Sequence, residues 1–325
     1  PKARAPTTWS LRCCRPCRSP ADRDDARVDH NAPIALPADV RGRLKALRLQ
    51  PRRAHGAHGI GQHASRSRGA GLEFAQYRAY EPGDELRQVD WKLYARSDRF
   101  FVRESERESP VTAWILIDAS ASASQRDRAR PAWSRLDHAS AVAACLVELA
   151  LQQGDRFGLL AIGGSGVQLV PAGSGPRHRD RMHLQLRQLS ATGMWPPADM
   201  LRPVWERVHA GDMLVALGDG FDEAGTQLLE RLAAARRDVF NVQLLTAEER
   251  DFPFTEGHRF RDPETGAELL GDGRALRAGY LEQFAQARRA LQARLQSAGI
   301  AHATGWLDEP LDAPLQQLFG TRGAP

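Results

Sequence analysis

From residue 111 onward, short apolar runs alternate with amphipathic helical segments, and this alternation restricts the possible folds more than any other feature. Residues 111–117 form a continuous apolar run, and apolar runs recur at residues 156–162, 213–217 and 239–245. Unbroken apolar runs are typical of strands covered on both faces, whereas the segments between them show helical spacing. The pattern predicts an α/β fold, with a mostly parallel sheet and helices on both of its faces.

Composition divides the chain into three regions. Residues 1–35 are rich in Pro, Arg, Asp and Ser and show no apolar period, which predicts a disordered tail. Residues 36–110 form a predicted β-rich extension, and residues 111–325 form the predicted α/β domain. The net charge of +5 has its basic excess in the first region and the extension. Because no dense basic stripe is present, we expect no nucleic-acid partner.

Several functions are disfavoured because their sequence motifs are absent. Lysine occurs only at Lys2, Lys45 and Lys92, and none of them follows a glycine, so the chain has no phosphate-binding P-loop. The sequence has no zincin or serine-hydrolase motif, which favours a non-enzymatic role. No window approaches the ~18 apolar residues that a membrane span requires. The first residues also lack the apolar run of a signal peptide, so we expect a cytoplasmic protein.

Two carboxylates stand where apolar strands are predicted to end. Asp118 follows the first strand in an Asp-x-Ser-x-Ser pattern with Ser120 and Ser122, and Asp219 follows the run at residues 213–217. Ligands bind beyond the carboxyl ends of strands in open α/β sheets, and carboxylate and hydroxyl oxygens suit Mg²⁺. The pattern predicts that these four residues form a magnesium site. The alternative is that the two serines only cap the following turn.

These residues also carry a family resemblance. The Asp-x-Ser-x-Ser pattern, with a later strand ending in Asp-Gly, resembles the metal-ion-dependent adhesion site of von Willebrand factor A domains. A second stretch, before the α/β region, is similar to the signature of the bacterial family called domain of unknown function fifty-eight. The resemblance covers about residues 36–322, and its signature contains Arg68-Gly69-Ala70-Gly71-Leu72-Glu73-Phe74, Pro82-Gly83-Asp84-Glu85-Leu86-Arg87 and Val89-Asp90-Trp91-Lys92-Leu93-Tyr94.

The resemblance implies a von Willebrand A-like domain preceded by the β-rich extension. It also implies a non-enzymatic protein-interaction module, an adaptor for a MoxR-type AAA+ ATPase that assembles or matures a client protein. The main alternative is a metal-dependent hydrolase that uses Asp118 and Asp219, with Asp199 or Asp222 as its base. The sequence departs from the adhesion-site pattern at Ala198, which stands where a ligand threonine is expected, so the predicted Mg²⁺ site lacks one ligand.

Charged residues of the signature alternate with aromatic residues. They form either a partner-binding surface or an internal ion-pair network that joins the extension to the α/β domain. The residues concerned are Arg78, Asp84, Arg87, Asp90 and Arg96.

Overall fold

The computed structural model describes residues 34–52, 76–81, 89–104, 111–128 and 130–320. The chain divides into two compact units, one of residues 1–54 and 111–325 and the other of residues 55–110. Residues 36–54, which the sequence analysis assigns to the extension, therefore belong to the larger unit. Most of the predicted tail lies outside the described residues.

The described helices and strands are numbered in chain order. The helices are α1 (Ala38–Leu44), α2 (Trp91–Ser97), α3 (Arg135–Gln153), α4 (Pro176–Gln188), α5 (Arg202–Arg207), α6 (Glu223–Ala234), α7 (Ala247–Asp251), α8 (Gly273–Ser297) and α9 (Ala313–Phe319). The strands are β1 (Gln76–Ala79), β2 (Phe101–Glu104), β3 (Thr112–Asp118), β4 (Arg126–Asp127), β5 (Arg130–Ser134), β6 (Arg156–Gly163), β7 (Gly166–Gly173), β8 (Met213–Gly218), β9 (Asp238–Leu245), β10 (Gly257–Arg261), β11 (Glu268–Asp272) and β12 (Ala301–Trp306).

A six-stranded sheet forms the centre of the larger unit, in the order β12-β9-β8-β3-β6-β7. Every neighbouring pair is parallel except β6 and β7, which form an antiparallel pair at one edge. The predicted α/β fold, with a mostly parallel sheet and helices on both of its faces, is confirmed. The edge strand β7 was not predicted, because its side chains are only partly buried and its apolar residues do not form a continuous run.

Side chains of the central strand β3 alternate between two buried clusters. Ile115 and Ile117 pack in a cluster that includes α3 and α9, whereas Trp114 and Leu116 pack in a cluster that includes α5 and α6. Both faces of the strand are therefore covered, which explains why its sequence is continuously apolar. The same coverage leaves only the ends of the strand accessible to a ligand.

Helix α1 packs within the larger unit. Val40 and Leu44 are buried in the cluster that contains α3. Arg43 forms a bidentate ion pair with the buried carboxylate of Asp312, with N···O distances of 2.6 and 2.7 Å. No local sequence pattern indicates these contacts, which join α1 to the larger unit.

The described part of the smaller unit combines strands with a helix. Strands β1 and β2 pair antiparallel, as expected of a β-rich extension. The sequence analysis did not predict helix α2, which begins after Asp90. The Asp90 carboxylate accepts hydrogen bonds from the backbone N–H groups of Lys92 and Leu93, at 2.9 and 3.1 Å. Such an N-cap stabilises the first turn of a helix, here within a stretch rich in aromatic residues.

None of the helices in the described ranges is long and apolar enough to cross a membrane.

Helix α3 contains a buried histidine, and we therefore expect the folded protein to lose stability in acid. His138 is fully buried, and neither of its ring nitrogens has a hydrogen-bond partner within the described structure. Burial, with a smaller effect of Arg130, lowers the pKa of His138 to about 4. The folded state therefore keeps the ring neutral, while the unfolded chain protonates it once the pH falls below about 6.5. The stabilisation that the neutral His138 ring contributes is complete above about pH 6.5 and is lost between about pH 6.5 and pH 4.

We expect His138→Leu to reduce this acid-dependent loss of stability by about 3 kcal/mol. The measurement is urea unfolding of both proteins at a series of pH values from neutral to acidic. His209→Gln is the control, because the His209 side chain is 74% exposed. Parallel stability curves for wild type and His138→Leu would show that His138 does not titrate on unfolding.

Candidate functional site

The ends of two neighbouring parallel strands place the predicted site residues at one edge of the sheet. Asp118 is the last residue of β3, and Asp219 directly follows β8, which pairs with β3. The approach is close: a Cβ atom added to Gly218 would lie 2.8 Å from the Cβ of Asp118. A side chain at position 218 would therefore require Asp118 to shift.

Backbone hydrogen bonds hold the turn that follows β3. The N–H of Thr192 donates to the carbonyl of Ala119 at 3.0 Å, and the N–H of Ala121 donates to the carbonyl of Gly193 at 2.7 Å. The N–H of Gly164 in turn donates to the carbonyl of Thr192 at 2.7 Å. The loop at Thr192 and Gly193 is therefore hydrogen-bonded both to this turn and to the loop at Gly164. Thr192 takes part in these hydrogen bonds through its backbone N–H and carbonyl groups.

Asp118, Ser120 and Ser122 form a compact group of oxygen atoms in this turn. All three residues are buried. The Ser120 N–H donates to Oδ1 of Asp118 at 2.9 Å, and the hydroxyl oxygens of Ser120 and Ser122 lie 3.0 Å apart. Burial, and then the negative charge of nearby Asp219, raises the pKa of the Asp118 carboxyl to about 7. The carboxylate is therefore in an environment that would favour a bound cation.

Asp219 has a different environment, because a buried arginine binds it. Arg135, the first residue of α3, donates from Nη1 to Oδ2 of Asp219 at 3.1 Å and to the carbonyl of Ser122 at 3.2 Å. The other Asp219 oxygen accepts a hydrogen bond from the N–H of Phe221 at 3.0 Å. Asp219 is therefore the ion-pair partner of Arg135, and its role as a metal ligand stays a prediction.

A second carboxylate also binds Arg135. Its Nη2 donates to Oε1 of Glu249 at 2.6 Å. The other oxygen of Glu249 accepts from the N–H and hydroxyl of Thr246, at 2.7 and 3.1 Å, in the capping box of α7. Burial alone would lower the pKa of Arg135, but Glu249 and Asp219 raise the pKa of its guanidinium above the ordinary value. Arg135 therefore links α3, the end of β8 and α7 as a permanent cation.

The sequence analysis missed Arg135 and Glu249. A sequence signal was present for Glu249, because Thr246-Ala247-Glu248-Glu249 has the spacing of a helix-capping box. A similar signal marks the start of α3, where Ser134 and Asp137 form a capping box directly beside Arg135. Neither pattern indicates that the two helix starts converge on Asp219.

Three residues supply the oxygen atoms that suit a divalent cation. Asp118 supplies a carboxylate without a cationic hydrogen-bond partner among the described residues, and Ser120 and Ser122 supply hydroxyls at a spacing that one ion can bridge. Within the described ranges, no group of three or more His, Cys, Asp or Glu side chains is arranged to hold a metal, so the hydroxyls are needed. Metal binding by these three residues and Asp219 stays a prediction.

The remaining candidate residues lie at the periphery. Ala198 is exposed, at the start of a 3₁₀ turn (Ala198–Leu201), and carries no ligand atom. Asp199 is exposed in the same turn. The Asp222 carboxylate accepts a hydrogen bond from the N–H of Gly225 at 3.0 Å and so caps α6. The predicted alternative base Asp222 thus has a structural role at a helix start.

The charged signature residues lie in the smaller unit. Asp90 is buried and caps α2, as described above, whereas Arg96 is exposed on that helix. Arg78 is on β1, opposite Val102 of β2. Asp84 and Arg87 lie outside the described residues. The cap role of Asp90 is structural, and a partner-binding role stays a prediction for the rest.

The strand order and the Asp-x-Ser-x-Ser turn place an α/β sheet and a group of oxygen atoms together at one edge of this domain. The model for the family described as "Protein of unknown function DUF58" matches residues 76–290. The chain therefore belongs to the DUF58 family, as the signature predicted.

Several known proteins are similar to this chain over 63–64% of its length. Uncharacterized proteins of Mycobacterium tuberculosis and Mycobacterium bovis are 28% identical over 215 residues, which is 63% of this chain and 65% of theirs. The chain thus spans less than two thirds of the length of these relatives. BatB from Bacteroides thetaiotaomicron is 16% identical, covering 64% of this chain and 97% of that one, with a TM-score of 0.41. The SpRpn10 VWA domain is 14% identical, covering 64% and 95%, with a TM-score of 0.37.

We expect the buried Arg135 side chain to be important for stability. Arg135→Met should reduce the free energy of unfolding by about 3–5 kcal/mol, because it leaves two buried carboxylates without their cation. The measurement is chemical denaturation at neutral pH.

Arg294→Met is the matched control for Arg135→Met. Arg294 also binds two carboxylates, Glu223 and Glu230, but its side chain is 35% exposed. Its loss should cost less than about 1 kcal/mol, as is usual for solvated ion pairs. Equal destabilisation by the two substitutions would contradict a special role for the buried cation.

Proposed function

We propose that this protein is an interaction module that docks a partner at the carboxyl edge of its sheet. Membership of the DUF58 family and the von Willebrand A-like fold suggest an interaction module. The observation that carries the proposal is the uncompensated Asp118 carboxylate beside two hydroxyls, at the edge where such folds bind ligands. The adjacent Asp219 forms a buried ion pair with Arg135, whereas Asp118 accepts no hydrogen bond from a cationic side chain among the described residues.

In this proposal, Asp118, Ser120 and Ser122 hold Mg²⁺. When bound, the ion supplies positive charge that can also attract a carboxylate of the partner. The chain's own residues supply three ligands, while Mg²⁺ prefers about six oxygen atoms. Water fills the remaining positions until the partner arrives, so the isolated protein binds the ion weakly.

The proposed partner is a MoxR-type AAA+ ATPase, with the protein acting in the cytoplasm as its adaptor for a client. This part of the proposal rests on the resemblance to the DUF58 family. No arrangement around Asp118 specifically supports the alternative of a metal-dependent hydrolase, since Asp219 is bound by Arg135 and Asp222 caps α6.

Calorimetric titration with Mg²⁺ tests the metal part of the proposal. We expect a dissociation constant of about millimolar for the wild type, because the chain offers one carboxylate and two hydroxyls. Asp118→Ala should abolish the binding heat. Ala198→Thr should tighten binding if the restored hydroxyl reaches the ion. Identical heats for wild type and Asp118→Ala would reject Mg²⁺ binding at this turn.

Binding to the purified MoxR-type ATPase of the native host tests the adaptor part. We expect capture of the ATPase by the wild type, and a loss of at least about tenfold in affinity for Asp118→Ala, the size of one charge-assisted contact. Asp199→Ala is the matched control, because Asp199 is an exposed aspartate near the same edge. No binding of the ATPase with Mg²⁺ present, or equal binding by both variants, would count against the proposal.

A further inference from the structure

Helix α8 contains a half-buried arginine, Arg288, for which the described residues provide no carboxylate partner. Its Nη2 donates a hydrogen bond to the hydroxyl of Thr304 in β12, at 3.2 Å. Its guanidinium carbon lies 4.9 Å from the centre of the Trp306 ring and 5.9 Å from that of Phe284. Its Nε is buried and makes no hydrogen bond within the described structure. The guanidinium is therefore held in position by contacts that do not balance its charge.

Another arginine of the same helix has the partners that Arg288 lacks. Arg294 forms ion pairs with Glu223 and Glu230, and hydrogen bonds from these carboxylates raise the pKa of its guanidinium. At Arg288 the direction is opposite, because burial lowers the pKa and no carboxylate of the described chain raises it. A charge that is removed from water without an anion destabilises the folded protein. An anionic ligand at Arg288 would relieve that penalty.

The contacts of Arg288 lie at the edge of the sheet that also holds the candidate site. Trp306 is the last residue of β12, as Asp118 is the last residue of β3. The strands β12, β9, β8 and β3 are parallel neighbours, so these two residues end at the same edge. Three strand spacings separate them by roughly 14 Å. Ligands of open α/β sheets bind beyond this edge, and Arg288 is thus placed for a contact that does not involve Asp118.

The surrounding charges indicate a ligand with a single negative charge. Arg250 also lies against the Trp306 ring, 5.1 Å from its centre. Ion pairs with Asp251 and Asp308, both at 2.9 Å, balance the charge of Arg250. These two carboxylates disfavour a doubly charged anion such as phosphate, because like charges repel. A carboxylate matches both the single charge of Arg288 and the planar geometry of its guanidinium.

The neighbouring histidine leaves this charge balance unchanged. His302 lies two residues before Thr304 on β12, and its Nδ1 is 3.0 Å from the side-chain nitrogen of Asn241. Burial, and then the charge of Arg288, lowers the pKa of His302 to about 4, so the ring is neutral at pH 7. A carboxylate bound to Arg288 would offset that charge and raise the pKa of His302, which gives the binding a spectroscopic signature.

We propose that Arg288 and Thr304 bind a carboxylate group beside the indole of Trp306, at the end of β12. The guanidinium donates hydrogen bonds to the carboxylate oxygens. The Thr304 hydroxyl accepts from Nη2 of Arg288 and donates its own proton to the same ligand. An acidic side chain and a chain terminus of a partner protein both present this group. The inference goes beyond the proposed function, because it uses neither Mg²⁺ nor Asp118.

The test is an NMR titration of the full chain in metal-free buffer, with chloride used to keep the ionic strength constant. N-acetylglycine imitates a chain terminus, and the α-amide of N-acetylglutamic acid imitates an acidic side chain. For at least one of them we expect saturable shifts of the Thr304 amide and the Trp306 indole N–H, together with a raised pKa of His302. Neutral N-acetylglycinamide should bind at least about tenfold more weakly, because it cannot form the charged hydrogen bonds. Equal affinity for N-acetylglycinamide, or tighter binding of inorganic phosphate, would overturn the proposal.

Two variants and a matched control locate the binding. Arg288→Gln should weaken the carboxylate probe by at least about tenfold, because the charge is lost. Thr304→Val keeps the side-chain shape and the guanidinium, and it should weaken binding severalfold, so the test does not depend on the folding of Arg288→Gln. Arg289→Gln is the control, since Arg289 is the exposed neighbour on the same helix, and its affinity should equal that of the wild type. Wild-type affinity in Thr304→Val and in Arg288→Gln, with native amide spectra, would contradict the assignment.

Discussion

The buried guanidinium of Arg135 is the interaction on which the candidate site depends. It joins the start of α3 to Asp219 at the end of β8 and to Glu249 in α7, with all three side chains nearly inaccessible to solvent. Two adjacent strand-end carboxylates would otherwise repel one another without a cation. Arg135 pairs with both Asp219 and Glu249, whereas Asp118 accepts no hydrogen bond from a cationic side chain among the described residues.

The four predicted site residues therefore lie in two different environments. Asp219 forms a buried ion pair with Arg135, while Asp118, Ser120 and Ser122 keep oxygen atoms together at the turn after β3.

Much of the fold could be predicted from the sequence, because burial on both faces imposes continuous apolar runs. Strands β3, β8 and β9 lie within a residue or two of the predicted runs. The edge strand β7 was missed, although Gly163-Gly164-Ser165-Gly166 marks the turn before it. Local patterns also placed Asp118, Ser120, Ser122 and Asp219 at strand ends. The pairing of Asp219 with Arg135 could not be predicted, because it joins residues 84 positions apart.

Asp118 is a buried carboxylate whose pKa is raised mainly by burial and then by the charge of Asp219. The most direct measurement is a pH titration of the Asp118 carboxyl carbon by NMR of protein labelled with ¹³C-aspartate, assigned with Asp118→Asn. The account predicts a midpoint near pH 7 in metal-free buffer and a lower midpoint when MgCl₂ is added. A midpoint close to the ordinary aspartate value of about 3.9, unchanged by Mg²⁺, would contradict it.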